Sequence, residues 1–216
     1  MILPGMPFGF IGGKKLSVAN VFVADSGKSI TIPTETQPGD LIVLAGGSRG
    51  NSISPTPAAW TPFGYTRIHT EAVGSLKVRL TVNAKVAVSG DAGSSSSVNG
   101  QLDESTALGV VRFDTPITGF SVVNTAAVIL STAFTTYNSG TLTLPSGSSG
   151  PSLAAVTGYV SGFQSGGSVI WPEADFLTAV GKTGVAGQLD TDGASTGRSV
   201  DVYGHVACGG YLELEA

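Results

Sequence analysis

Charge is scarce in this chain of 216 residues. Asp, Glu, Lys and Arg make up 12% of it, against about 25% in an ordinary soluble domain. The 11 basic residues are scattered and the net charge is −4. That excludes a phosphate-tracking surface, which needs clustered Lys and Arg to displace counterions, so no nucleic-acid partner is expected. The single cysteine, Cys208, excludes an intrachain disulfide framework. It sits in an alternating pattern and is expected as a small core residue. No run of about 20 apolar residues occurs, so a spanning helix is excluded and no membrane insertion is expected. The N-terminal stretch lacks a basic start and is broken by Pro4, Gly5, Pro7 and Gly9; it reads as part of the mature protein rather than a signal peptide.

Catalytic signatures are scarce as well. Asp25-Ser26-Gly27-Lys28-Ser29 ends like a phosphate-binding loop, but position 22, where the first glycine belongs, is Phe22. Asp190-Thr191-Asp192-Gly193 starts like a calcium loop and then continues with Ala194, Ser195, Thr196 and Gly197, without a closing Glu. The two histidines, His69 and His205, lie outside any zinc-type spacing. No Gly-x-Ser-x-Gly elbow is followed by a plausible Asp and His order. Asp103, Glu104, Glu173 and Asp175 are the carboxylates a glycosidase would need, and their polar surroundings read as solvated loop. No catalytic residue, metal or cofactor is expected, and the chain reads as a non-enzyme.

What is abundant is glycine, 31 residues, with Ser and Thr taking the place of charge on the surface. From Leu16 onward, period-2 stretches punctuated by turns predict strands at 17–23, 29–32, 41–45, 75–88, 108–113, 119–123, 141–144, 153–160, 200–206 and 211–214. The best helix candidate is Pro172–Val180, with proline near a first turn and Glu173 and Asp175 suited to a helix start. Gly90–Gly100, rich in serine, reads as a mobile hairpin tip, and Gly184–Gly197 as a loop. Many short strands with frequent turns predict an all-β fold, an antiparallel β-sandwich of jelly-roll type.

The chain also repeats itself. Ser29–Gly46 aligns without a gap on Thr141–Gly158 at an offset of 112, the distance from Pro33 to Pro145. Trp60 then matches Trp171, and Arg79–Gly90 matches Ser199–Gly210, which sets Lys85 against His205 as a shared outward-facing position. Internal repetition of this kind points to a duplicated β unit. The expected organisation is one domain over 14–216, with pseudo-repeats at 29–90 and 141–210 that each contribute strands to both sheets. Residues 1–13 form an extended arm carrying Ile2, Leu3, Met6, Phe8, Phe10 and Ile11 on a backbone that proline and glycine keep out of helix. These anchors either dock onto another chain or form a first strand over the core. Trp60, Tyr65, Trp171 and Tyr203 are candidate glycan-stacking rings; the competing reading places each Trp in the core of its own repeat.

An apolar Thr-Ile-Pro strand end, then Gly39-Asp40-Leu41 opening an apolar strand, then Ala59-Trp60-Thr61, then Lys85-Val86-Ala87 before a Gly-rich turn form a pattern. It resembles a β-sandwich module of tailed-bacteriophage virion proteins, over 28–93 and more weakly over 141–210. The resemblance implies a structural protein of the virion, a tail, collar or capsid appendage, with other virion proteins as partners and as a homo-oligomer. A carbohydrate-binding adhesin for host-surface glycan is the alternative.

Overall fold

The computed structural model describes residues 15–51, 53–98, 102–133, 135–147, 150–161, 169–178, 181–191 and 197–216. The N-terminal arm and its six anchors lie outside the described residues. The fold is all-β and antiparallel. The first half comprises β1 (Val18–Ser26), β2 (Ser29–Thr31), β3 (Leu41–Arg49), β4 (Thr66–Val73), β5 (Val78–Val86), β6 (Ser95–Ser97) and β7 (Leu102–Phe113). The second comprises β8 (Gly119–Ile129), β9 (Asn138–Leu144), β10 (Ser152–Tyr159), β11 (Val169–Ile170), β12 (Phe176–Thr178), β13 (Thr183–Asp190), β14 (Arg198–Gly204) and β15 (Val206–Glu215).

Each half keeps its strands in its own sheets. The first builds a five-stranded sheet in the order β1-β7-β3-β5-β4 and a small sheet β2-β6; the second builds β8-β15-β10-β13-β12 and the small sheet β9-β14-β11. Written this way the two orders are the same, with β11 added. The expectation that each repeat would supply strands to both sheets is therefore corrected. So is the third repeat anchor: the counterpart of β5 in this order is β13, whereas 199–210 spans β14 and β15. The VA-Gly similarity joined strands of like composition but different place.

The layers follow from side-chain parity. Leu41, Val43 and Ala45 of β3 point inward, with Leu80 and Val82 of β5, against Leu153, Ala155 and Tyr159 of β10 and Cys208 and Leu212 of β15. This shared core fuses the two five-stranded sheets face to face. The alternate residues of the same strands point outward into two satellite cores. Ile42 and Leu44 meet Ile30, Ile32 and Trp60 under the β2-β6 sheet; Ala154 and Val156 meet Leu142, Leu144 and Trp171 under the β9-β14-β11 sheet. Both faces of the central strands are buried, so they read as continuous apolar runs.

Across the shared core the contacts are reciprocal. β1 touches β12 and β8 touches β4; β7 touches β13 and β15 touches β5; β3 meets β10. Such reciprocity is the mark of an isologous interface between two like units. Cys208 sits in it, fully buried, and burial first and then the Glu71 carboxylate push its thiol up. We expect a thiol reagent such as DTNB to leave the native protein unlabelled and to react only upon unfolding in denaturant; stoichiometric labelling of the native state would contradict this placement.

Three local expectations change. The helix expected over Pro172–Val180 does not form in its described residues, 172–178: Pro172 and Glu173 make a turn, with the Ala174 N–H donating to the Trp171 carbonyl at 3.1 Å, and Phe176–Thr178 pairs with β13 as an edge strand. Phe176 and Thr178 are the inward residues, and their burial outweighs the helical start signals. Ser95–Ser97, inside the Gly90–Gly100 tract, is a strand paired with β2. Thr183–Asp190, read as a loop start, is β13, whose Gly187 takes a phenylalanine ring: a Cβ there would lie 2.3 Å from Phe176 Cε1.

Candidate functional site

Two places on the described surface concentrate polar chemistry. The first is an ionic node at the seam of the halves. Asp103, on β7, has a positive φ of 52°, beside a break in the β3–β7 register between Gly47 and Arg49. Its carboxylate accepts from Lys182 Nζ at 2.7 Å and Ser161 Oγ at 3.2 Å, and it pairs with Arg49 at 3.1 Å. Its carbonyl accepts from Tyr159 Oη at 2.6 Å. Arg49 and Asp103 belong to the first half, and Tyr159, Ser161 and Lys182 to the second. Burial pushes the Asp103 carboxyl up, but the Lys182 hydrogen bond and charge, then Arg49 and Ser161, outweigh it and leave it below its ordinary 3.8.

His205 joins this seam. It is fully buried between β14 and β15, which corrects its expected outward position opposite Lys85. Its Nδ1 accepts the Ser161 N–H at 3.1 Å, and Tyr137 meets the ring edge-on at 5.0 Å. An accepting Nδ1 assigns the proton to Nε2 of a neutral ring. Burial first, against the pull of the Ala133 carbonyl and with the Arg49 charge, lowers its pKa from 6.5. Ser161, His205 and Asp103 are the residue types of a hydrolytic triad, wired differently: Ser161 donates its hydroxyl to Asp103 and only its backbone N–H to His205. This connectivity ties strands together and does not prepare a nucleophile.

The second place is a groove of about 400 Å³ on the outer side of the first half, between β6 and the segment after Trp60. Trp60 itself is 7% exposed and Trp171 5%. Both indoles fill their satellite cores, so neither ring face serves as a stacking platform, and the core reading of the two tryptophans holds. Tyr203 is half-buried, its centroid 6.2 Å from that of Tyr137, away from the groove. Of the four candidate rings the structure brings only Trp60 and Tyr65 together.

The ring the sequence reading missed is Phe63, which is fully exposed and lines the groove. It is displayed by a turn in which the Tyr65 N–H donates to the Pro62 carbonyl at 3.1 Å and Gly64 takes a φ of 80°. A positive φ at the third turn position is what a type II turn requires of its glycine. Beside Phe63 stands Tyr65, with Lys85 Nζ 4.9 Å from its ring centroid. Lys85 pairs with Asp91, whose other oxygen accepts the Val88 N–H at 2.7 Å. The serines of β6 and its approach, 94–97, complete the wall. A signal existed in the Pro-Phe-Gly order itself, a turn signature, since connecting turns run over the surface.

A larger cavity, about 510 Å³, opens beside Arg49, Ser75, Lys77 and Leu102. Among the described residues its lining carries no aromatic ring. Compared with protein-family models, with curated proteins and with solved structures, the chain matches none.

Proposed function

We propose that the chain is a non-enzymatic structural protein of a bacteriophage virion, built on a duplicated sandwich unit and attached to its particle through residues 1–13. What supports this reading is the place its motif residues take in the fold. Gly39 has a φ of 89° and packs where a Cβ would come 2.5 Å from Pro116. Asp40 is buried and receives Arg112 through two hydrogen bonds, at 3.0 and 2.9 Å. Trp60 fills a core, and Lys85 closes the turn after β5 through Asp91. A motif in which Gly39, Asp40 and Trp60 are scaffold positions suits a protein whose work is to be a rigid body. In the arm, each large apolar residue that becomes fully buried on docking contributes roughly 1.5–3 kcal/mol before the entropy of ordering is subtracted.

The test is deletion of residues 1–13. The truncated chain is expected to keep the Tm of the full chain and to be missing from purified particles. Normal incorporation would overturn the anchoring role.

A second reading, a carbohydrate-binding adhesin module, is favoured by one observation: Phe63 is fully exposed at the mouth of a polar groove.

A further inference from the structure

We infer that the Phe63 groove is a saccharide site that stacks one face of an uncharged pyranose ring on Phe63 and takes its hydroxyls on Asp91, Lys85 and the β6 serines. This rests on the carbohydrate-binding reading above and goes beyond it in naming the site and the ligand class. The turn that holds Phe63 entirely in solvent does nothing for the core. The negative face of an aromatic ring attracts positively polarised hydrogens, and a pyranose offers C–H bonds on one face and hydroxyls around its rim.

The rest of the wall matches that second requirement. Lys85 and Asp91 form an ion pair, so the groove offers a donor and an acceptor at nearly zero net charge, which suits a neutral ligand better than a phosphate or a uronate. Ser94 and Ser96 are half-buried on the same wall. A few convergent polar groups around an apolar platform are the usual make-up of a small-ligand site.

Among the described residues, the turn after Trp171 in the second half carries no such platform. After Trp171 the turn carries Pro172 and Glu173, and Asp175 is used by the Leu189 N–H at 2.6 Å. Two halves with the same strand order thus differ at this turn, where one displays an aromatic ring and the other a carboxylate.

The test is an array of immobilised neutral and anionic oligosaccharides probed with the full chain, followed by titration of the best neutral binder. Phe63→Ala is expected to keep the wild-type Tm and weaken binding about 10-fold, a loss on the scale of one aromatic contact. Phe63→Tyr should retain binding, and Ile53→Ala, which removes another exposed apolar residue, should leave it unchanged. Saccharide binding untouched by Phe63→Ala would sink the groove and spare the carbohydrate-binding reading. No binding to any saccharide would sink both, and binding confined to anionic saccharides would overturn the ligand class.

Discussion

Replacing Gly47 by valine is expected to destabilise the protein by about 3 kcal/mol or more, as overpacking of an unyielding core site does, lowering Tm by about 6–12 °C in a chain of this length. A Cβ at Gly47 would lie 2.1 Å from Tyr159 Cδ2. The ring cannot retreat: Tyr159 is fully buried and its hydroxyl is fixed on the Asp103 carbonyl at 2.6 Å. The offset of 112 that aligns 29–46 with 141–158 also carries Gly47 onto Tyr159. They lie on β3 and β10, the central strands of the two sheets. In a dimer of identical units, matched positions near the symmetry axis face their own copies. Two tyrosines would collide there and two glycines would leave a void, and covalent linkage lets one chain place a tyrosine against a glycine.

The decisive measurement is a double-mutant cycle by urea denaturation. Tyr159→Ala alone should remove about 3–5 kcal/mol, the range for emptying a large aromatic site. Gly47→Val with Tyr159→Ala should lose clearly less than the sum, because the valine then enters the space the ring vacates. Strict additivity would mean that the two side chains do not share one site.

The fold class was legible because its signals are local. Alternation along 17–23 and 119–123, and the apolar runs 41–45 and 153–160, each specify a strand without reference to the rest of the chain. What was not legible depends on partners distant in sequence. Gly184–Asp190 looks like a loop until Phe176 is laid across Gly187, where glycine is the residue the close approach demands. Ser95–Ser97 has no apolar content, and its pairing with Ser29–Thr31 carries no signal within either segment. The first two repeat anchors fell on like places, Ile30, Ile32, Ile42, Leu44 and Trp60 occupying one satellite core as Leu142, Leu144, Ala154, Val156 and Trp171 occupy the other. The third did not, because resemblance of composition cannot tell β5 from β14 and β15.

The site was legible only in outline. A conspicuous tryptophan drew the reading to Trp60 and Trp171, and a large indole following a turn is more economically placed in a core than on a surface. Its smaller neighbour, two residues past Thr61, is the one left in water. The ionic node was out of reach altogether. Asp103 and Lys182 are 79 residues apart, and an Asp-Glu pair in a polar stretch gives no hint that one member is held across the seam.

Asp103→Asn should lower stability by roughly 2 kcal/mol, below the 3–5 expected when one partner of a fully buried pair is removed, because Arg49, Lys182 and Asp103 are each partly exposed, at 24%, 28% and 18% of their side-chain surface. Glu173→Gln, an exposed carboxylate, should change stability little. The acid limb of the stability profile tests the same node. A carboxyl held below its unfolded value stabilises fully above about pH 3.8, and that contribution disappears as pH falls through the lower folded value. His205 acts at higher pH with the same sign: its folded pKa is depressed, so below about 6.5 the unfolded chain takes up a proton that the buried ring resists, and stability declines as pH falls. Urea midpoints measured from pH 8 to 3 should therefore show two descending limbs. His205→Gln should flatten the upper one and Asp103→Asn the lower one. An upper limb unchanged by His205→Gln, or an Asp103→Asn variant as stable as Glu173→Gln, would show that the seam is held by its apolar core alone. If both limbs respond as expected, the two halves are joined by a charge network as well as by packing, and acid should loosen the seam before it melts the sheets.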